Sequence, residues 1–206
     1  MPQQRQIFTE KVVRMKVTVL YVSLSALRVL PNRSQFFQYE SVSLSCGQQG
    51  ISSEWSVKRN TSKDRNEECF KFWGRKNESH CFIADLYPTD TGVYWCEFAA
   101  GERSEAVSIT VTRGFVILDS PVLPVMEGNN VTLSCRNKKS SSSNLIADFY
   151  KDGLLIRSSS TGTLTIHSVS KSDEGLYKCN VSGAKQSSDS WLTVRGENTT
   201  TDLFSN

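Results

Sequence analysis

One eleven-residue pattern occurs twice in this chain and constrains it more than any other feature. Leu86-Tyr-Pro-Thr-Asp90-Thr-Gly92-Val-Tyr94-Trp-Cys96 and Val169-Ser-Lys-Ser-Asp173-Glu-Gly175-Leu-Tyr177-Lys-Cys179 share Asp-x-Gly-x-Tyr-x-Cys, with an apolar residue four positions before the Asp. Tyr and Cys two residues apart lie on one face of a strand. The Gly is expected to supply turn freedom, the Asp to anchor a corner, and the Tyr hydroxyl to bond back to that corner. Each copy has an upstream partner, Ser41-Val-Ser-Leu-Ser-Cys46 and Asn130-Val-Thr-Leu-Ser-Cys135, alternating as half-buried strands do. The chain's 206 residues suit two such modules, and no window holds a sustained helical period.

Trp55 follows Cys46 by nine residues, suited to pack on a Cys46–Cys96 bridge. Cys…Trp…Cys of this kind marks an immunoglobulin sandwich. The expected fold is therefore all-β, two tandem immunoglobulin-like β-sandwich domains after a signal peptide. In the second copy Phe149 stands where Trp is usual and would fill the same slot with a smaller ring. In this pattern the bridges are Cys46–Cys96 and Cys135–Cys179, each worth about 4 kcal/mol in the chain-entropy account. Cys69 and Cys81 remain and are expected to pair. Aligning the copies on their last Cys maps Cys81 onto Leu164, which faces inward in the alternating Thr163-Leu-Thr-Ile-His167, so this bridge is expected to be buried. The first domain is expected over 26–112, the second over 113–195 after a very short Arg113-Gly114 joint, and 196–206 as a polar disordered tail.

The first 25 residues read as a signal peptide: Lys16 precedes an apolar run from Val17 to Leu27, too short to span a bilayer, with Ser23 and Ser25 placed for cleavage near Ala26. Met15 offers a second start within it. An exported chain with six cysteines reads as three disulfides. Sequons at Asn32, Asn60, Asn77, Asn130, Asn180 and Asn198 fit the same extracellular compartment. The leader's surplus, Arg5, Lys11, Arg14 and Lys16 against Glu10, equals the whole chain's +3, so the remainder is formally neutral. A neutral body lacks the basic face that nucleic acid requires. His80 and His167, the only histidines, sit in no nucleophile or metal motif, so neither an enzyme, a metal nor a cofactor is expected.

Three further stretches narrow the family: Pro31-Asn-Arg-Ser-Gln-Phe-Phe-Gln-Tyr-Glu40, Phe149-Tyr-Lys-Asp-Gly153 and Ser190-Trp-Leu-Thr-Val194. With the two-domain layout they resemble the Fc receptor and Fc receptor-like family, most closely the leukocyte immune-type receptors of bony fish. The resemblance implies immunoglobulin Fc binding by the second domain through its BC, C′E and FG loops. Here those are Asn137 to Asn144, Arg157 to Thr161, and Ser182 to Ser187, with Lys138, Lys139, Arg157, Ser158, Lys185 and Gln186 as candidate contacts. Mammalian Fc receptors clamp a proline between two tryptophans near the joint. Phe115 matches one of them and no Trp follows in 122–126, so the resemblance does not carry over the proline clamp or the ordinary mode of IgG binding, and the antibody class of any partner is left open.

The expected role is an immune receptor, secreted or on the external side of the plasma membrane, with a protein partner. Two other partners fit the same layout: an MHC class I-like molecule held at the inter-domain elbow, and an adhesion partner on an exposed sheet face. Trp191 and Phe115 are the bulky residues that an anchor role would use.

Overall fold

The structure, a computed structural model, describes residues 26–46, 55–77, 80–122, 124–139, 145–181 and 186–196. The leader, Ser140 to Asn144, Ser182 to Lys185 and Asn198 lie outside the described residues. The described chain is built of strands with two single-turn 3-10 helices, Pro88–Asp90 and Lys171–Asp173. Its contacts divide it into two compact units: one within Met1–Leu30, Ser41–Ala84 and Gly92–Val107, the other within Pro31–Glu40, Asp85–Thr91 and Ser108–Asn206.

In the first unit, strand Val42–Cys46 pairs antiparallel with Leu27–Leu30 on one side and His80–Ile83 on the other. Its alternation puts Val42, Leu44 and Cys46 inside while Ser43 and Ser45 are half-buried. Facing strands Trp55–Thr61 and Gly92–Phe98 pair antiparallel, and a Cys46–Cys96 disulfide ties this pair to the first sheet. The structure corrects the expected place of Trp55. The residue opposite Cys96 is Val57, while Trp55 lies half-buried one row away, its ring 5.0 Å from Phe98. Trp95 and Trp73 are the buried tryptophans among the described residues of this unit, and Trp73 lies edge-on to Tyr94 with ring centroids 5.6 Å apart. The Arg59 guanidinium lies over the Trp73 ring, 4.5 Å from its centroid.

Cys69 and Cys81 form the second disulfide and are both 1 % exposed. Cys81 pairs with Leu44 as Leu164 pairs with Leu133, the same register in the two repeats. A methyl group on Gly74, at φ 68°, would lie 2.8 Å from the Cys69 sulfur and 2.9 Å from that of Cys81. Only glycine lets the chain pass this bridge so closely.

Besides a short parallel pair of Val125–Met126 with Val194–Arg195, the second unit holds two larger sheets, ordered Val116–Asp119, Val131–Asn137, Thr163–Ile166 and Leu154–Ser159, Ala147–Lys151, Gly175–Val181, Ser190–Leu192. Between them lies a core containing Leu118, Leu133, Phe149, Tyr177 and Leu192 around the Cys135–Cys179 disulfide. Phe149 is fully buried opposite Cys179. The Tyr177 hydroxyl donates to the Asp173 carbonyl at 2.7 Å, and the Asp173 carboxylate accepts the Ser170 N–H at 2.8 Å, closing the corner. Burial, with the nearby Asp173 and Asp152 charges, pushes this phenol up to about 12.

Strand Gln35–Phe37 belongs to this unit and pairs parallel with Thr110 to Thr112. Gln35 ties it in place. Its buried amide donates to the Ser188 carbonyl at 2.8 Å and the Ser190 hydroxyl at 3.0 Å, and its carbonyl accepts the Leu118 N–H at 3.0 Å.

Candidate functional site

Register brings the ends of several second-unit strands together. Asn137 pairs with Val116, while Ala147 pairs with both Ser159 and Val181. Loops that leave these residues therefore emerge at one end of the sandwich, where Phe115 also enters.

Phe115, Lys138 and Lys139 form a contact cluster there. The Lys138 N–H donates to the Phe115 carbonyl at 2.8 Å, and the Lys139 ammonium sits 4.4 Å from the Phe115 ring centroid. Asn137 shapes the turn by accepting the Lys139 N–H at 3.0 Å. The Lys138 ammonium donates to the Gln38 carbonyl at 3.3 Å and lies 5.9 and 5.8 Å from the Phe37 and Tyr39 rings. An ammonium held over aromatic faces stays exposed to a partner while its position is restricted.

The other candidate contacts do not join this cluster. Arg157 is exposed on strand Leu154–Ser159 opposite Phe149, and Ser158 donates to the Asp148 carboxylate at 2.5 Å. Gln186 is exposed and bridges to Asn180 through its backbone. Lys185 lies outside the described residues. Among the sequons, Asn32, Asn60 and Asn130 are exposed, each accepting a nearby backbone N–H through its side-chain oxygen. Asn180 is half-buried, and Asn77 lies in strand Arg75–Asn77.

Residues 36–40 contribute more here than the sequence indicated. Phe37, Gln38, Tyr39 and Glu40 all adjoin Lys138 or Arg136. The signal was the Phe-Phe-Gln-Tyr cluster, an aromatic run too dense for an ordinary turn. Among the described residues no three His, Cys, Asp or Glu side chains gather as a metal would need, and no helix is long and apolar enough to cross a membrane.

An immunoglobulin-domain family model matches residues 115–183. Mouse Fc receptor-like protein 5 is 29% identical over 160 residues, covering 75% of this chain and 25% of its own length. Human Fc receptor-like protein 3 is 33% identical over 92 residues, 44% of this chain and 12% of that protein. The chain is similar to Fc receptor-like proteins, and its second module matches the immunoglobulin-domain model. Mouse low affinity immunoglobulin gamma Fc region receptor II is 26% identical over 128 residues, 61% of this chain and 38% of that receptor. The chain thus spans about a quarter of mouse Fc receptor-like protein 5 and less than two fifths of the other two proteins. The matched module and the relatives' names are those of receptors rather than of enzymes.

Proposed function

We propose that this chain is an immune-receptor ectodomain that binds immunoglobulin Fc through the exposed end of its second module. The modules run over 26–112 and 113–195, with the contact residues Phe115, Lys138, Lys139, Arg157, Ser158, Lys185 and Gln186. The observation that carries the reading is the Lys139–Phe115 stack beside Lys138, two cations and an exposed ring held together on a rigid strand end. The relatives' names support an antibody partner. The chain acts either as a secreted modulator or at the external side of the plasma membrane, in immune signalling.

The test is binding of the purified chain to immunoglobulin classes, with Fab as control. Fc-containing antibody of at least one class binds and Fab does not. Lys138→Glu with Lys139→Glu lowers that affinity about tenfold or more, chiefly through charge reversal at the contact. Unchanged affinity removes both lysines from the site, and no binding to any class refutes the Fc reading.

A second reading, an adhesion contact, is favoured by one feature. The outer face of the sheet built on Ala147–Lys151 exposes Leu155, Leu176 and Trp191. An MHC class I-like ligand has no comparable observation in its favour.

A further inference from the structure

Beside the Lys138 cluster the second unit has a groove of about 440 Å³. Phe37 and Leu145 supply apolar wall, Thr161 to Thr163 the opposite side, and Glu40, Arg136 and Lys138 the charge.

The charges in and beneath it do not balance. Glu40 is already committed: one carboxylate oxygen accepts the Arg33 guanidinium at 2.8 Å and the Phe37 N–H at 2.8 Å. Its other oxygen is 3.4 Å from Arg136 Nη2, a long contact. Asp119 lies 3.7 Å from the same Arg33. Three cations, Arg33, Arg136 and Lys138, are thus served by two carboxylates. Two buried guanidinium nitrogens, Arg33 Nε and Arg136 Nη1, have no acceptor, and of the two arginines only Arg136 lines the groove, its side chain 40 % exposed. A guanidinium nitrogen out of water without a partner is costly, and its planar fork matches a carboxylate in two-point geometry. Lys138 can supply a further N–H at the rim, since its ammonium carries three and one reaches Gln38.

We propose that this groove takes an acidic side chain, Asp or Glu, presented by a loop of the protein partner, with Arg136 as its principal contact and Lys138 as the second. The apolar wall of Phe37 and Leu145 would cover the methylene part of that side chain. The assignment rests on reading this end of the module as a partner surface, and it names what the partner must bring.

The test uses the full chain and needs no immunoglobulin. Amide and arginine side-chain NMR signals are followed during titration with a blocked, glycine-flanked Glu-Asp-Glu peptide, its Gln-Asn-Gln counterpart, and 3′-sialyllactose. The acidic peptide shifts Arg136 Nε–H, Gly162 and Thr163 saturably, and the amide counterpart does not. Arg136→Gln weakens the dissociation constant about tenfold, and Lys138→Gln weakens it about threefold. Lys138 is exposed, so that variant keeps the fold and decides the matter if Arg136→Gln does not fold. No saturable shift, equal binding by the amide peptide, affinity unchanged in Lys138→Gln, or saturation by sialyllactose instead overturns the proposal. Peptide binding in a chain that binds no antibody refutes the Fc reading and leaves the groove assignment standing.

Discussion

At the scale of single residues, two positions carry more than their type suggests. Gln35 is a polar side chain in a Phe-Phe-rich stretch, yet it is 1 % exposed and makes three hydrogen bonds. Removing it strands buried groups that have no water to turn to. Gln35→Ala is expected to cost about 2–4 kcal/mol in urea denaturation, and Gln35→Glu fails to rescue it because a carboxylate would face the Ser188 carbonyl. Of the motif glycines, Gly175 takes a φ of 156° that side-chain-bearing residues rarely adopt, while Gly92 is required by close approach alone. A methyl on Gly92 would lie 2.1 Å from the Asn60 carbonyl oxygen, and one on Gly175 would lie 2.7 Å from Asp152 Oδ2. Gly92→Ala should therefore cost about 2 kcal/mol or more by prising two strands apart. Gly101→Ala, at φ 90° with nothing within 4 Å, should cost about 1 kcal/mol. Equal thermal shifts for the two variants would contradict a steric origin. Spacing flagged these glycines, but which neighbour each must avoid depends on a strand remote in the chain.

Strands were legible wherever one face meets a core. Val131–Asn137 and Gly175–Val181 alternate buried and outward residues along the run, as their sequences do. Leu154–Ser159 breaks that rule: Leu154, Leu155 and Ile156 are all exposed. It is an edge strand of its sheet, and its register slips between Phe149 and Tyr150, so alternation no longer sorts its side chains. Leu155 lies opposite Tyr150, and the neighbouring pair Leu176 and Trp191 is exposed too. Leu155→Lys is expected to change stability by less than about 0.5 kcal/mol, because little area is buried there. It should also lower bis-ANS fluorescence and self-association of the purified chain. Substantial destabilisation would mean that this strand is packed after all. Trp55 teaches the same lesson from inside. Its nine-residue spacing from Cys46 matched the family pattern, yet Val57 takes the slot opposite Cys96 and Trp73, from a segment with no strand signal, fills the core.

Across the whole molecule, two carboxylates make stability depend on pH with opposite signs. Burial pushes the Glu97 carboxyl up, but hydrogen bonds from Lys58 and Trp95 and the charges of Lys58 and Arg103 outweigh it, leaving it below its ordinary value. Its contribution is present above the unfolded-state pKa and lost as pH falls through the lower folded one. Burial raises Asp119 against the opposing Arg33 charge. There the stabilising form is the protonated one, present below the unfolded-state pKa and lost as pH rises through the raised folded value. Urea midpoints from pH 3 to 7 should find Glu97→Gln less stable than wild type at neutral pH and Asp119→Asn more stable, both differences closing on acidification. A gap that widens on acidification would refute the assigned cause for that residue. The chain's own residues were enough to determine two disulfide-centred β modules, because Asp-x-Gly-x-Tyr-x-Cys and strand alternation are local consequences of backbone geometry and solvent exclusion. The structure alone decided that Pro31–Glu40 clusters with the second repeat, that Lys139 stacks on Phe115, and that Arg136 is left short of an acceptor. Those outcomes depend on which side chains meet across some 20 to 155 residues of intervening chain, and a linear pattern holds no record of such meetings.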